Sequence, residues 1–142
     1  MNSGRELPSL SIEELEDMSR RCRINIVKMT HEAGAGHPGG SLSAIDLIVG
    51  LYGHNVLRID ADDADWEDRD RFILSKGHAS PAVYSILNEI GYLSDEDLMS
   101  FRTLGSVCQG HVDMKWSTAV DFSAGSVALG LSIGLDLSPA AK

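Results

Sequence analysis

Arg69-Asp70-Arg71-Phe72-Ile73-Leu74-Ser75-Lys76-Gly77-His78-Ala79-Ser80-Pro81 is the stretch on which the fold turns. Its apolar centre is short and continuous, as in a strand covered on both faces of a parallel sheet, and it predicts a strand over residues 72–74. A polar turn carrying His78 follows. Ser80 then reads as an N-cap and Pro81 as a first helical position, where no backbone N–H is needed. Strand, polar turn and helix in this order predict an α/β domain, with helices packed on a parallel sheet. In such folds ligands bind outside the carboxyl ends of the strands, which is where His78 would stand.

Upstream, Ser11 and Glu14 have the capping-box pattern, and Ile12, Leu15, Met18, Cys22, Ile26 and Met29 recur every three or four residues. This predicts a long amphipathic helix stopped by Gly34. Leu42 to Tyr52 is apolar enough for a second, more buried helix. Residues 60–70 (DADDADWEDRD) predict a solvated acidic loop. They do not form a calcium loop, because Ala64 and Asp65 stand where Asp or Asn and Gly are wanted, and Arg71 takes the place of the final Glu.

Downstream, Val83, Ile86, Leu87 and Ile90 make the stripe of a third helix ending at Gly91, and Ser94 with Asp97 starts a fourth that stops near Gly105. Small residues dominate from Ala124 onward, so Gly130 and Gly134 would let another helix approach closely if this segment is helical. Residues 1–10 are polar and broken by Gly4 and Pro8, predicting a flexible arm ahead of one domain over 11–142.

A chain of 142 residues with 43% hydrophobic content can bury one core. The net charge of -9 excludes nucleic acid as a partner, since neutralising phosphates takes clustered Lys and Arg. No apolar run reaches the roughly 18–20 residues of a membrane span. Cys22 and Cys108 cannot build a disulfide framework and no secretory leader is evident, so a cytoplasmic location is expected.

Three histidines sit in glycine-rich contexts: Gly36-His37-Pro38-Gly39-Gly40, Lys76-Gly77-His78 and Gly110-His111. Glycine allows tight turns and lets a ligand come close, so the three imidazoles could line a polar pocket that accepts anions. Read from the residues alone, each could equally be a turn histidine bonded to a nearby carbonyl. Gly34, Gly36 and Gly39 satisfy G-x-G-x-x-G, but a long helix precedes them where a dinucleotide fingerprint needs a strand. Cys108 with His111, as a thiol and its base, and Cys22 with His31, as a partial metal site, both lack a third member at useful spacing.

Taken together, Ala33 to Ser43 (AGAGHPGGSLS), Arg69 to Pro81, Phe101 to Ser106 (FRTLGS) with Gly110-His111, and Ser123-Ala124-Gly125-Ser126 resemble the N-terminal, thiamine-diphosphate-binding segment of transketolase in order and interval. The similarity runs from about Leu15 to the last residue. It implies part of a thiamine-diphosphate-binding parallel-sheet domain. It also implies catalytic roles for His37, His78 and His111 toward sugar hydroxyls and phosphate, and cofactor contacts by His78, Gly125, Ser126 and Val127. Val112 replaces the proline that the family places after His111, which leaves that loop less fixed. Val127, Ala128 and Leu129 depart from the family's Leu-Gly-Gln, and Pro139 falls where the family's helix continues.

The family's magnesium, which bridges the cofactor's diphosphate, is held by a Gly-Asp-Gly motif and a later asparagine that these 142 residues lack, so no metal ligand is assigned. The activating glutamate belongs to a second module. The expected function is transfer of a two-carbon ketol unit between sugar phosphates, as a truncated chain or as a subunit needing a partner: a second copy in a homo-oligomer, such as a dimer, or a complementary transketolase chain. The alternative is a non-catalytic transketolase-like fragment that binds a partner.

Overall fold

The capping box at Ser11 forms as the sequence predicts: the Ser11 hydroxyl accepts from Glu14 N–H, and the Glu14 carboxylate accepts from Ser11 N–H at 2.8 Å. α1 (Ile12–Glu32) runs from it, burying Met18, Cys22, Ile26 and Met29 on one face. Residues 7–60 and 62–141 are described in the computed structural model, and the further helices among them are α2 (Pro38–Leu42), α3 (Ile45–Gly53), α4 (Ser80–Glu89), α5 (Asp95–Met99) and α6 (Gly130–Leu137).

α4 is the hub. Every residue from Ser80 to Leu87 is buried, so this helix needs neighbours on all sides, and α1, α3 and α5 pack around it. Arg21 of α1 donates to Glu89 at 2.9 Å, and Asn25 donates to Asn88 at 3.2 Å, fixing how α1 lies along α4. α6 packs differently, for it buries none of its residues and leaves Leu131 and Leu135 exposed.

The strand predicted over 72–74, and with it the parallel sheet, is not observed: among the described residues there is no strand, and Arg71 to Leu74 runs without regular structure. A parallel strand exists only beside another strand reached through a crossover of a dozen or more residues, and no described segment supplies one. The donors of this stretch go elsewhere. Phe72 N–H donates to the Asp121 carboxylate at 2.7 Å, and Asp70 N–H to the Arg58 carbonyl at 2.7 Å.

Other expectations shift in detail. Ser80 opens α4 after the 3-10 turn Gly77–Ala79, but its hydroxyl donates to Gly77 O at 2.6 Å and caps nothing. α5 stops at Met99, well short of Gly105. α6 ends at Leu137, where Pro139 has no N–H to continue it, and a 3-10 turn (Ser138–Ala141) follows. The first six residues of the expected arm lie outside the described ones. Within its remainder, Leu7 and Leu10 pack on the core, and Leu10 N–H donates to Gly53 O at 2.8 Å.

Candidate functional site

Gly34, at φ +59°, ends α1, and Gly36, at φ +141°, turns the chain back. A side chain at Gly36 would meet the Thr30 methyl at 2.8 Å and the Phe101 ring at 3.5 Å, so conformation and space both require glycine there. The turn delivers His37 to the N-cap of α2. His78, on the Gly77–Ala79 turn, stands against it: the two ring centroids are 5.8 Å apart, edge to face at 67°.

Two features hold these turns together. The His78 ring lies directly on Gly40, where an added methyl would come within 2.8 Å of Cδ2 and 3.2 Å of Nε2. Beside it the Lys76 ammonium donates to Gly40 O at 2.9 Å and to Ser43 Oγ at 3.0 Å, tying α2 to the His78 turn. His37 is exposed and His78 half-buried.

His111 joins from a third loop. Its Cδ2 sits 2.6 Å from where a Gly77 methyl would be, with Ala124 and the Gly125 N–H each at 3.2 Å. The expected looseness at Val112 is not seen. Val112 is buried, and its N–H donates to Ser80 Oγ at 2.7 Å, a bond that proline could not make. Ser80, fully buried, therefore bonds the His78 turn and the His111 loop at once. Beyond it, Ala124 N–H donates to Val112 O at 2.8 Å, and the Ser123 hydroxyl donates to Asp113 at 2.7 Å. That hydroxyl, with the Lys115 N–H, holds the Asp113 carboxyl below its usual range.

Gly125, Ser126 and Val127 are exposed, and their three amides donate to no group among the described residues. Successive open N–H groups next to an imidazole suit an oxyanion such as a diphosphate. Among the described residues no group of three or more His, Cys, Asp or Glu could hold a metal ion. The thiol reading also falls away. Burial pushes Cys22 and Cys108 up to about 12, leaving both as inert thiols.

A cleft of about 500 Å³ lies elsewhere, between Glu67–Arg71 and α6, and no histidine lines it. Its walls are occupied by an ion pair, Arg69 with Asp121 at 2.6 Å, whose side chains are 9% and 5% exposed. Sequence reasoning missed this pair, as it missed Lys76, Ser80 and the packing role of Gly40. The Gly39-Gly40 pair behind His37 was the available hint for Gly40, and nothing local marks Asp121.

Gly40→Ala isolates the His37–His78 contact. Overpacking at His78 costs about 1–3 kcal/mol, while a helical Gly→Ala returns up to about 1 kcal/mol. Net stability should therefore fall by no more than about 3 kcal/mol, while cross-relaxation between the two imidazoles in the NMR spectrum disappears. An unchanged ring-to-ring signal would contradict the packing described.

Comparison with known proteins places the chain. The family model described as transketolase, thiamine diphosphate binding domain, matches residues 15–142. Transketolase-like protein 2 of Bos taurus is 32% identical over 142 residues, which is 100% of this chain and 22% of that protein. A protein of Phocaeicola vulgatus, named as one of the subunits of an apulose-4-phosphate transketolase, is 33% identical over 133 residues, 94% of this chain and 47% of that one. A transketolase from Pichia stipitis, solved as a complex with sedoheptulose-7-phosphate, superimposes with a TM-score of 0.78 at 30% identity, covering 90% of this chain and 19% of the other. The chain thus spans from about a fifth to about half the length of these relatives.

Proposed function

The chain belongs to the transketolase family, in its thiamine-diphosphate-binding domain, and from that premise we propose that, with a complementary chain or a second copy, it transfers a two-carbon ketol unit between sugar phosphates. The observation that carries this reading is the contact of His37 with His78 on two turns bearing the family's motifs. Support for a partner comes from the Phocaeicola vulgatus relative, whose name makes it one chain of a larger enzyme. Support for sugar phosphates comes from the sedoheptulose-7-phosphate in the Pichia stipitis complex.

When bound, thiamine diphosphate supplies the electron sink for a two-carbon carbanion. This chain's own residues bind and orient. His78 and the open amides of Gly125, Ser126 and Val127 would hold the diphosphate. His37 and His111 would hold sugar hydroxyls and move protons at their ring nitrogens, which imidazole can do near neutral pH. No magnesium ligand is assigned among the described residues, and no step is assigned through that ion.

A second reading, a non-catalytic chain that docks on a partner, is favoured by the exposed Val127, Leu129, Leu131 and Leu135. One experiment separates the two. The assembly is purified through a tag on this chain, supplied with thiamine diphosphate and magnesium, and assayed for ketol transfer from xylulose 5-phosphate to ribose 5-phosphate. The proposal expects transfer, with His78→Ala reducing it at least about tenfold at limiting cofactor, as for one lost charge-assisted contact to the diphosphate. An inactive assembly, or full activity with His78→Ala, would sink it. The chain tested alone should be inactive.

A further inference from the structure

We propose that Ser80 and Tyr84, one turn apart on α4, are positioning residues for His111: they clip the loop that carries it at two points and so hold its imidazole over Gly77. This rests on the reading of the three histidines as one site and adds to it the two residues that place the third ring.

His111 has to be placed from outside itself. It is exposed, and its ring nitrogens have no hydrogen bond among the described residues, so only its backbone and the contact of Cδ2 with Gly77 fix the ring. That backbone is caught on both sides. Upstream the Tyr84 hydroxyl donates to Gln109 O at 2.9 Å, and downstream Val112 N–H donates to Ser80 Oγ at 2.7 Å. Only Gly110 and His111 lie between the two holds.

Both holds come from one rigid element. Ser80 and Tyr84 are four residues apart, which puts them on the same face of α4, and each is 0% exposed. A buried hydroxyl is unfavourable unless it is bonded, so hydroxyls on a helix buried from Ser80 to Leu87 need partners. Ser85, the third of them, finds its partner inside α4 by donating to Pro81 O at 2.8 Å. Ser80 and Tyr84 turn theirs to the His111 loop.

The polarity of each hold is set by its surroundings. Burial pushes the Tyr84 phenol well above its ordinary range, so the group remains a donor. The Ser80 proton is committed to Gly77 O at 2.6 Å, which leaves the oxygen's lone pairs for Val112 N–H. Ser80 therefore fixes the turn on which the His111 ring rests as well as the loop that carries the ring. The Val112 carbonyl is held too, accepting from Ala124 N–H at 2.8 Å. A side chain presented from a base fixed in advance meets its ligand without first having to be ordered.

Two deletions of a single oxygen and one control test the clip. Tyr84→Phe keeps the ring beside Phe101, with centroids 6.2 Å apart, and loses only the hold on Gln109. Ser80→Ala loses the hold on Val112. Ser85→Ala removes an equally buried hydroxyl from the same helix without touching the loop. In the full chain, NMR cross-relaxation between His111 Hδ2 and the Gly77 α protons reads the place of the ring, and that between the His37 and His78 rings reads the rest of the site. The parent and Ser85→Ala should show both signals. Tyr84→Phe should lose the first and keep the second, because the Lys76 bonds to Gly40 and Ser43 are untouched. Ser80→Ala should also lose the first, and if it does not fold, Tyr84→Phe decides alone. No His111–Gly77 signal in the parent, an undiminished one in Tyr84→Phe, or an equal loss in Ser85→Ala would overturn the proposal.

In the purified assembly, Tyr84→Phe should lower kcat/KM for ketol transfer at least about tenfold, as misplacement of a reacting group does, with thiamine diphosphate affinity little changed. An active assembly whose kcat/KM ignores Tyr84→Phe defeats this inference and leaves the ketol-transfer reading standing. A His111 signal lost in Tyr84→Phe, in a chain whose assembly is inactive, does the reverse.

Discussion

Replacing Asp121 with asparagine is expected to lower the stability of the chain by about 3–5 kcal/mol, the usual result of removing one partner of a buried ion pair and leaving the other charge without its counterion. Both side chains of the pair are nearly closed to solvent, at 9% for Arg69 and 5% for Asp121. Arg69 is also spent on the backbone, donating to Ala64 O at 2.7 Å and Thr118 O at 3.3 Å. The second Asp121 oxygen accepts from Phe72 N–H at 2.7 Å. A domain stable by about 5–15 kcal/mol would lose a large part of its margin.

The consequence reaches the site. Asp121 opens the segment that carries Gly125 to Val127, and Arg69 opens the one that carries Lys76 to His78, so the pair fastens the two at their shared end. A shift in the urea midpoint checks the prediction, and a loss under about 1 kcal/mol would refute it. The double variant Arg69→Met with Asp121→Leu should recover most of the loss, because two apolar groups leave no orphan charge.

What could be read in the sequence followed its range of action. α1 was legible because a capping box and a 3.6-residue period are local, and its buried face is the one the period marks from Met18 to Met29, while Ile12 at its start is 77% exposed. The close approach of another helix expected at Gly130 and Gly134 is not found: a methyl at Gly130 would meet Ser75 Cβ at 2.5 Å, in the irregular stretch before the His78 turn, and one at Gly134 only Ile73 Cδ1 at 3.9 Å. The strand over 72–74 was not legible, because a strand is defined by its neighbours, and apolar content cannot supply them. Instead an aspartate far along the chain takes the Phe72 donor.

The site divides in the same way. The meeting of His37 with His78 was expected from the resemblance to transketolase, and no spacing rule would have paired them. Ser80 read as a cap because Ser before Pro usually is one. Its hydroxyl instead serves Gly77 and Val112, a choice fixed by a loop some thirty residues away that local propensity cannot see. Val112 looked like a loss because the family's proline stiffens φ. The N–H that it regains makes the compensating bond.

Gly77→Ala should be the most damaging single methyl in the molecule for ligand binding. Gly77 carries no positive φ, so alanine is conformationally acceptable, and the effect is steric. The new Cβ would lie 2.6 Å from His111 Cδ2, and at 3.2 Å from both the Ala124 methyl and the Gly125 nitrogen. The imidazole can swing away, but the Gly125 backbone is fixed by the Ala124–Val112 bond at 2.8 Å. This contrasts with Gly40, where only the His78 ring and the end of the Lys76 side chain are met. Relief must come from moving the Ala124–Val127 stretch off the His78 turn, at a cost of about 1–3 kcal/mol in stability. The open amides then leave the imidazole they stand beside. A chelated anion that loses two of its contacts weakens by about 3–6 kcal/mol, which is at least about 100-fold. In the assembly, thiamine diphosphate affinity should fall by that factor in Gly77→Ala and by far less in Gly40→Ala, measured by activity against cofactor concentration and by calorimetry. Equal affinities in the two variants would mean that the Gly125 amides do not hold the diphosphate.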